Sequence, residues 1–152
     1  MRFILIIIIS LLFNFSALAD LIKPNPDIGP EEVIEIQLEA LKVNNLPYVD
    51  AGILQAWEFA HPQNRSFTGP LSNFTTMMKS DSYILILRHR KHNVIFVSKN
   101  GNTANYFVEI IDKIGNKYGF TWVVKKVQTV GKFKNCWMTT GVSRPILLAK
   151  SA

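Results

Sequence analysis

Cysteine is almost missing from this 152-residue chain: Cys136 stands alone, so no disulfide can form within the molecule and its stability has to come from packing. Histidine is nearly as scarce. His61, His89 and His92 are the only three, with no His-Glu-x-x-His pattern and no paired cysteines beside them. On a strand, positions three apart point to opposite faces, so the close pair His89 and His92 is not expected to share a ligand, and neither a metal nor a cofactor is expected. A Gly-x-Ser-x-Gly elbow is absent as well, and neither Gly69-Pro70 nor Gly141-Val142 has the form of a phosphate-cradling loop. Internal repeats and low-complexity tracts are also lacking, which excludes solenoids and leaves a single packed domain.

What is present begins with a leader. Arg2 precedes an apolar run from Phe3 to Phe15, broken only by Ser10 and Asn14, and Ser16-Ala17-Leu18-Ala19 follows. This is the charge, apolar core and small-residue site of a secretory signal, with Ala19 before the cut and Asp20 after it. The expectation is a secreted or periplasmic protein that touches a membrane only through the uncleaved signal. Residues 1–19 are then the signal peptide, 20–29 an extended lead-in and 30–152 one domain.

Pro24, Pro26 and Gly29 keep the lead-in irregular. A first helix starts with Pro30 at its first position and Glu31 and Glu32 in the first turn, where the dipole favours negative charge. Ile34, Leu38 and Leu41 recur at helical spacing until Asn44-Asn45 and Pro47 end the run. Asp50 is an N-cap candidate for a second helix carrying Ile53, Ala56, Trp57 and Ala60, which Pro62 stops or kinks. A third helix begins at Pro70, with Leu71, Phe74 and Met78 facing inward.

From Tyr83 the period becomes two. Tyr83 to Leu87 is a short apolar run, Val94 to Ser98 leads into the hairpin signal Asn100-Gly101, and the next strand alternates Ala104, Tyr106, Val108 and Ile110 against Asn105, Phe107, Glu109 and Ile111. After Gly115-Asn116 comes a strand with Tyr118, Phe120, Trp122 and Val124 on one face, and a last one runs from Cys136 to about Val142. Helices in front of an antiparallel meander give an α+β fold, three N-terminal helices packed on a curved sheet. A curled sheet of this kind leaves a pocket at one end of its aromatic-rich concave face.

Charge is divided along the chain. Asp20 to Ala60 carries eight acidic and two basic side chains, whereas His61 to Ala152 carries three acidic and fourteen basic, and the whole chain is basic at +6. Such asymmetry steers anionic partners or simply sets an acidic helix beside basic strands. The densest stretch, Arg88-His89-Arg90-Lys91-His92, reads as a charged loop or edge strand that discourages edge pairing. It has no interleaved aromatics to stack bases, so nucleic acid is not an expected partner.

Several residues are candidates for a site. In His61-Pro62-Gln63-Asn64-Arg65, His61 is placed to act as a general base and Arg65 to hold a carboxylate or phosphate, while the structural alternative has Asn64 and Arg65 ordering the Ser66 to Gly69 connection. Trp57, Tyr106 and Trp122 join His61 and Arg65 as candidate ligand-binding residues, although aromatics of this kind are more often core. Cys136 reads as a buried small hydrophobe rather than a reactive thiol. No catalytic residue is assigned.

Taken together, Pro30-Glu31-Glu32-Val33, Gln37-Leu38-Glu39-Ala40-Leu41, Asp50-Ala51-Gly52-Ile53, Ala56-Trp57-Glu58-Phe59-Ala60, Pro62 with Asn64-Arg65, Thr68-Gly69-Pro70-Leu71 and Cys136-Trp137-Met138-Thr139 before Gly141-Val142 resemble the bacterial and plant family known as domain of unknown function 4864. The resemblance implies no activity, cofactor or catalytic residue. The order of helices and meander is also similar to the cone of nuclear transport factor 2 and its relatives, a fold that hosts enzymes, ligand binders and docking modules alike. Glu109 and Asp112 are the only acids in the meander. The function expected is therefore a non-catalytic module binding a small ligand or a protein partner; the rivals are a pocket enzyme with His61, Glu109 or Asp112 as base, and a protein that forms a homodimer through its sheet face.

Overall fold

Pro30 opens α1 (Pro30–Lys42), whose first turn holds Glu31 and Glu32 and whose last turn holds Lys42, so charge complements the dipole at both ends. The computed structural model that shows this describes residues 20–152; the leader and its proposed cut lie outside them. Val33, Ile34, Leu38 and Leu41 are buried along one stripe of α1, and Gln37 is buried among them. The lead-in is fastened by Gln55, whose amide nitrogen donates to the Ile22 carbonyl and whose oxygen accepts from the Ile22 N–H.

α2 (Ala51–Glu58) crosses α1 at very short range. A Cβ on Gly52 would lie 2.2 Å from the Ala40 carbonyl oxygen, so only glycine permits this approach. The cap differs from the sequence expectation. Asp50 adopts φ 63° and makes no capping bond; its carboxylate holds Lys79 and Asn44 instead. The N–H of Ile53 is taken by Asn44 Oδ1 at 2.9 Å, a cap supplied from beyond the end of α1.

Among the described residues four helices precede the sheet where three were expected. The additional one is α3 (Pro62–Thr68), because Pro62 starts a helix rather than only ending the one before it. Proline at the first helical position lacks an N–H that would be unpaired anyway, and His61 Nδ1 caps the turn by accepting from the Gln63 N–H at 3.1 Å. α4 (Leu71–Met78) follows, burying Phe74 and Met78. The apolar run Tyr83 to Leu87 is a series of turns and not a strand. Its amides bond three and four residues back, and adjacent Ile86 and Leu87 are both buried, which an alternating strand cannot do.

β1 (Lys91–Asn100), β2 (Thr103–Ile111), β3 (Lys117–Lys126) and β4 (Trp137–Val142) form an antiparallel sheet in that order. Asn100 pairs with Thr103 around a two-residue turn whose first member, Gly101, takes φ 53°. A fifth strand, β5 (Ile146–Ala149), shares the far edge of β3 with β4: β4 pairs along Trp122 to Lys126, and β5 along Lys117 to Gly119. Register shifts between Phe96 and Ser98, Lys117 and Tyr118, and Val123 and Val124 mark where the sheet bends. Ala104, Tyr106, Val108, Ile110, Phe120, Trp122 and Val124 turn inward and close one core with α1, α2 and α4. Cys136 lies just ahead of β4 in a second, smaller cluster with Val127 and Met138, and burial raises its thiol pKa.

Candidate ligand cavity

The segment between α2 and α3 is stitched to β4 by its main chain. The Thr139 N–H donates to the Phe59 carbonyl and the Thr139 carbonyl accepts from the His61 N–H, both at 2.8 Å. These bonds fix Thr139 with its hydroxyl inward, beside Gln37 of α1 and Trp122 of β3. Trp122 Nε1 donates to Thr139 Oγ1 at 3.1 Å, Thr139 Oγ1 donates to Gln37 Oε1 at 2.6 Å, and Gln37 Nε2 donates to the Ala56 carbonyl at 2.9 Å. Every buried side-chain nitrogen and oxygen in this chain has a hydrogen-bond partner, so no polar atom of the network is left orphaned.

Above it opens a cavity of about 350 Å³. Leu41, Phe74, Met77, Ile86 and Val142 give it apolar walls. At its polar margin the Tyr83 hydroxyl donates to the Val142 carbonyl at 3.0 Å, and Thr68 Oγ1 donates to Asn64 Oδ1 at 3.1 Å. Asn73 and Phe67 stand at the rim, and Phe67 is 94% exposed. Among the described residues no Asp, Glu, His, Lys, Arg or Cys lines this cavity. Its chemistry is that of an apolar hole with fixed hydrogen-bonding groups, at the small end of the range for ligand pockets.

Of the five candidate site residues, Trp122 alone reaches this cavity. Arg65 caps the end of α2: Nε donates to the Ala60 carbonyl at 2.9 Å, and the terminal nitrogen donates to the carbonyls of Trp57 and Glu58 at 2.8 and 3.0 Å. The backbone it orders is thus that of α2, and Ser66 to Thr68, expected to be irregular, is helical. Its guanidinium lies 4.9 Å from the Trp57 ring, and Trp57 also packs on Phe74. His61 is occupied as the α3 cap, and burial, with Lys125 nearby, lowers its pKa. Tyr106 is buried under β1, edge-on to Phe96, with its hydroxyl pKa raised by burial and by Glu31. These five do not converge. The acids of the meander are equally distant in role: Asp112 accepts from the N–H groups of Ile114 and Asn116 in the β2–β3 turn, and Glu109 pairs with Lys117 on the side of β2 away from the core.

The residues that build the cavity and were passed over are Gln37, Tyr83 and Thr139. Gln37 was legible as a polar residue inside an apolar stripe, flanked by Ile34, Leu38 and Leu41; a buried amide has to find partners. The histidine pair also departs from expectation. His89 precedes β1, which begins at Lys91, and its ring lies against that of His92 instead of on the opposite face. His89 is 3% exposed, and burial pushes its pKa down to about 4.

A broader, more open depression lies among Asn44, Asp50, Lys79 and Asp112, in which Asp50 is paired with Lys79 and Asp112 with backbone N–H groups, and which Arg88 and Lys113 also line. Among the described residues no helix is long and apolar enough to cross a membrane. No family model matches the chain, and neither a curated protein nor a solved structure matches it.

Proposed function

We propose that this protein is a non-catalytic binding module that takes a small, uncharged, largely apolar molecule into the cavity between the helices and β3–β4. One observation carries the reading: the cavity has apolar walls, and no side chain that accepts or delivers a proton near neutral pH lines it. The polar groups of its floor are held to one another, so they exclude charged ligands more than they attract them. Acid-base catalysis finds no base in the cavity, since His61 caps a helix and Glu109 and Asp112 are engaged elsewhere.

The finer identity of the fold belongs to the same proposal. Helices seated in a bent antiparallel sheet, with the opening at one end, favour a cone of the nuclear transport factor 2 kind. Membership of the domain of unknown function 4864 family is part of the proposal and rests on the sequence segments that carry the resemblance; Gln37, Leu41, Ala56, Ala60, Asn64 and Thr139 within them line the cavity. The leader makes the setting secreted or periplasmic. A second copy covering the sheet is the second reading, favoured by Ile95 and its register partner Phe107 on the face away from the helices, with Ile95 exposed. Sedimentation as a strict monomer at micromolar concentration ends that second reading.

The test is a titration with the neutral fluorophore N-phenyl-1-naphthylamine, read by its emission and by Trp122 quenching. One saturable site is expected, weakened about tenfold or more by Met77→Trp, which fills the mouth. Failure of the probe to saturate, or equal affinity in a folded Met77→Trp protein, refutes the assignment.

A further inference from the structure

Glu35 and Glu39 stand one turn apart on α1, and α1 lies across the start of β1, where His92 points up between them. His92 Nε2 is 2.9 Å from Glu35 Oε2 and 3.5 Å from Glu39 Oε1, and one ligand atom from each of the three side chains falls within 4.8 Å of the others. The His92 side chain is only 7% exposed, whereas Glu35 and Glu39 are 43% and 60% exposed. A buried nitrogen therefore meets two carboxylates that open to solvent.

Behind His92 the hydrogen bonds run in one direction. His89 Nδ1 lies 2.6 Å from the Ile86 carbonyl, and His89 Nε2 lies 2.8 Å from His92 Nδ1. A carbonyl only accepts, so the proton of a neutral His89 sits on Nδ1 and its Nε2 is bare. His92 must then donate from Nδ1. The neutral His92 ring consequently turns a bare Nε2 toward Glu35 and Glu39, and three acceptors face one another without a donor among them. A positive centre has to sit there. A proton serves the Nε2 to Glu35 contact alone, whereas one divalent ion satisfies all three atoms. The two contacts, 2.9 and 3.5 Å, bracket the edge of about 3.4 Å expected for a tetrahedral shell with ligands at about 2.1 Å.

We propose that Glu35, Glu39 and His92 hold a divalent transition-metal ion of the zinc class, with His89 as the positioning residue behind His92. Imidazole with two carboxylates suits zinc, and the solvent-facing side leaves a fourth position for water. A metal-bound imidazole that passes its other N–H to a fixed acceptor is the usual outer-shell arrangement, and here the acceptor is itself fixed to the Ile86 carbonyl. Lys42, 3.8 Å from the same Glu39 oxygen, is the competing cation, and its long side chain is free to withdraw into solvent. This site is separate from the ligand cavity, none of whose lining residues it uses.

Zinc(II) is titrated by calorimetry into tag-free protein previously stripped with chelator, with magnesium(II) as the hard-ion control. The expected result is one equivalent of zinc bound at micromolar affinity or tighter, little response to magnesium, and cobalt(II) absorption of tetrahedral intensity. Glu39→Gln, at an exposed position that folding does not depend on, weakens zinc about tenfold or more, and His89→Gln weakens it by about 10- to 100-fold although every ligand remains. Absence of stoichiometric binding at 100 micromolar zinc overturns the proposal. So does unchanged affinity in a folded Glu35→Gln/Glu39→Gln double variant, or a His92 Nε2 proton that persists by nitrogen-15 NMR with one equivalent of zinc present.

Discussion

The two faces of α1 meet opposite kinds of polar surroundings. On the side of the cavity, Gln37 enters a chain with Trp122, Thr139 and the Ala56 carbonyl in which every buried side-chain nitrogen and oxygen has a partner. On the side of β1, Glu35 and Glu39 meet His92 with more acceptors than donors. A closed network holds a shape. An incomplete one asks for a ligand, and the same helix carries both because residues 35, 37 and 39 are spread around its axis at 3.6 residues per turn.

The sharpest way to break the comparison is to move α1 itself. Gly52→Ala places a methyl against the Ala40 backbone, which has no rotamer with which to yield, and this outweighs the helix propensity that alanine brings. A loss of about 3 kcal/mol is expected by urea denaturation, with loss of both probe and zinc binding because α1 bears part of each site. Wild-type stability in this variant would show that the two helices are not held at contact distance.

Thr139→Val comes next and separates the two sides. It leaves Trp122 Nε1 without an acceptor and Gln37 Oε1 without a donor while keeping the shape, at a cost of about 2 kcal/mol. Thr139→Ser recovers most of that. Zinc affinity stays at the wild-type value in both, and a parallel fall would mean that the network and the His92 cluster are coupled through α1.

The smallest effect is at Asp50, near neither site. Its hydrogen bond to Lys79, with a further one from Asn44, holds its carboxyl pKa below the ordinary value. Folding therefore favours the ionised form, and the contribution is complete above the unfolded pKa and disappears as pH falls through the lower folded value. Since the pair is partly exposed, the loss is below about 1 kcal/mol. Comparing the acid limb of stability for wild type and Asp50→Asn between pH 5 and 2 checks it: the two curves converge at the acid end, and parallel curves refute the linkage.

Where one face of an element is buried, its period was readable. The stripe on α1 and the alternation in β2 and β3 declared themselves because core residues repeat at fixed intervals. Elements without such a repeat did not. α3 buries no residue, so Pro62 was the only local cue and it points both ways. β5 exposes all four of its residues, and its pairing with β3 follows from how the sheet bends. The site was the least legible part. Arg65 looks like an anion clamp in sequence and is a helix cap in space, because the carbonyls at the end of α2 are brought to it by chain reversal. His89 and His92 fall on opposite faces only if one strand runs through both, and β1 begins at Lys91, so His89 lies outside the alternation and its ring meets His92.

The two main-chain bonds at Thr139 bear on where the proposed ligand would enter. Because the α2–α3 connector is laced to β4 there, the back of the chamber cannot part without rupturing backbone pairing, so traffic is confined to the opposite end. That end is framed by Phe67, Asn73 and Met77 on two short helices that Gly69 joins. For the ligand proposed above, substitutions at this end are expected to change the rate of exchange more than substitutions in the walls behind it.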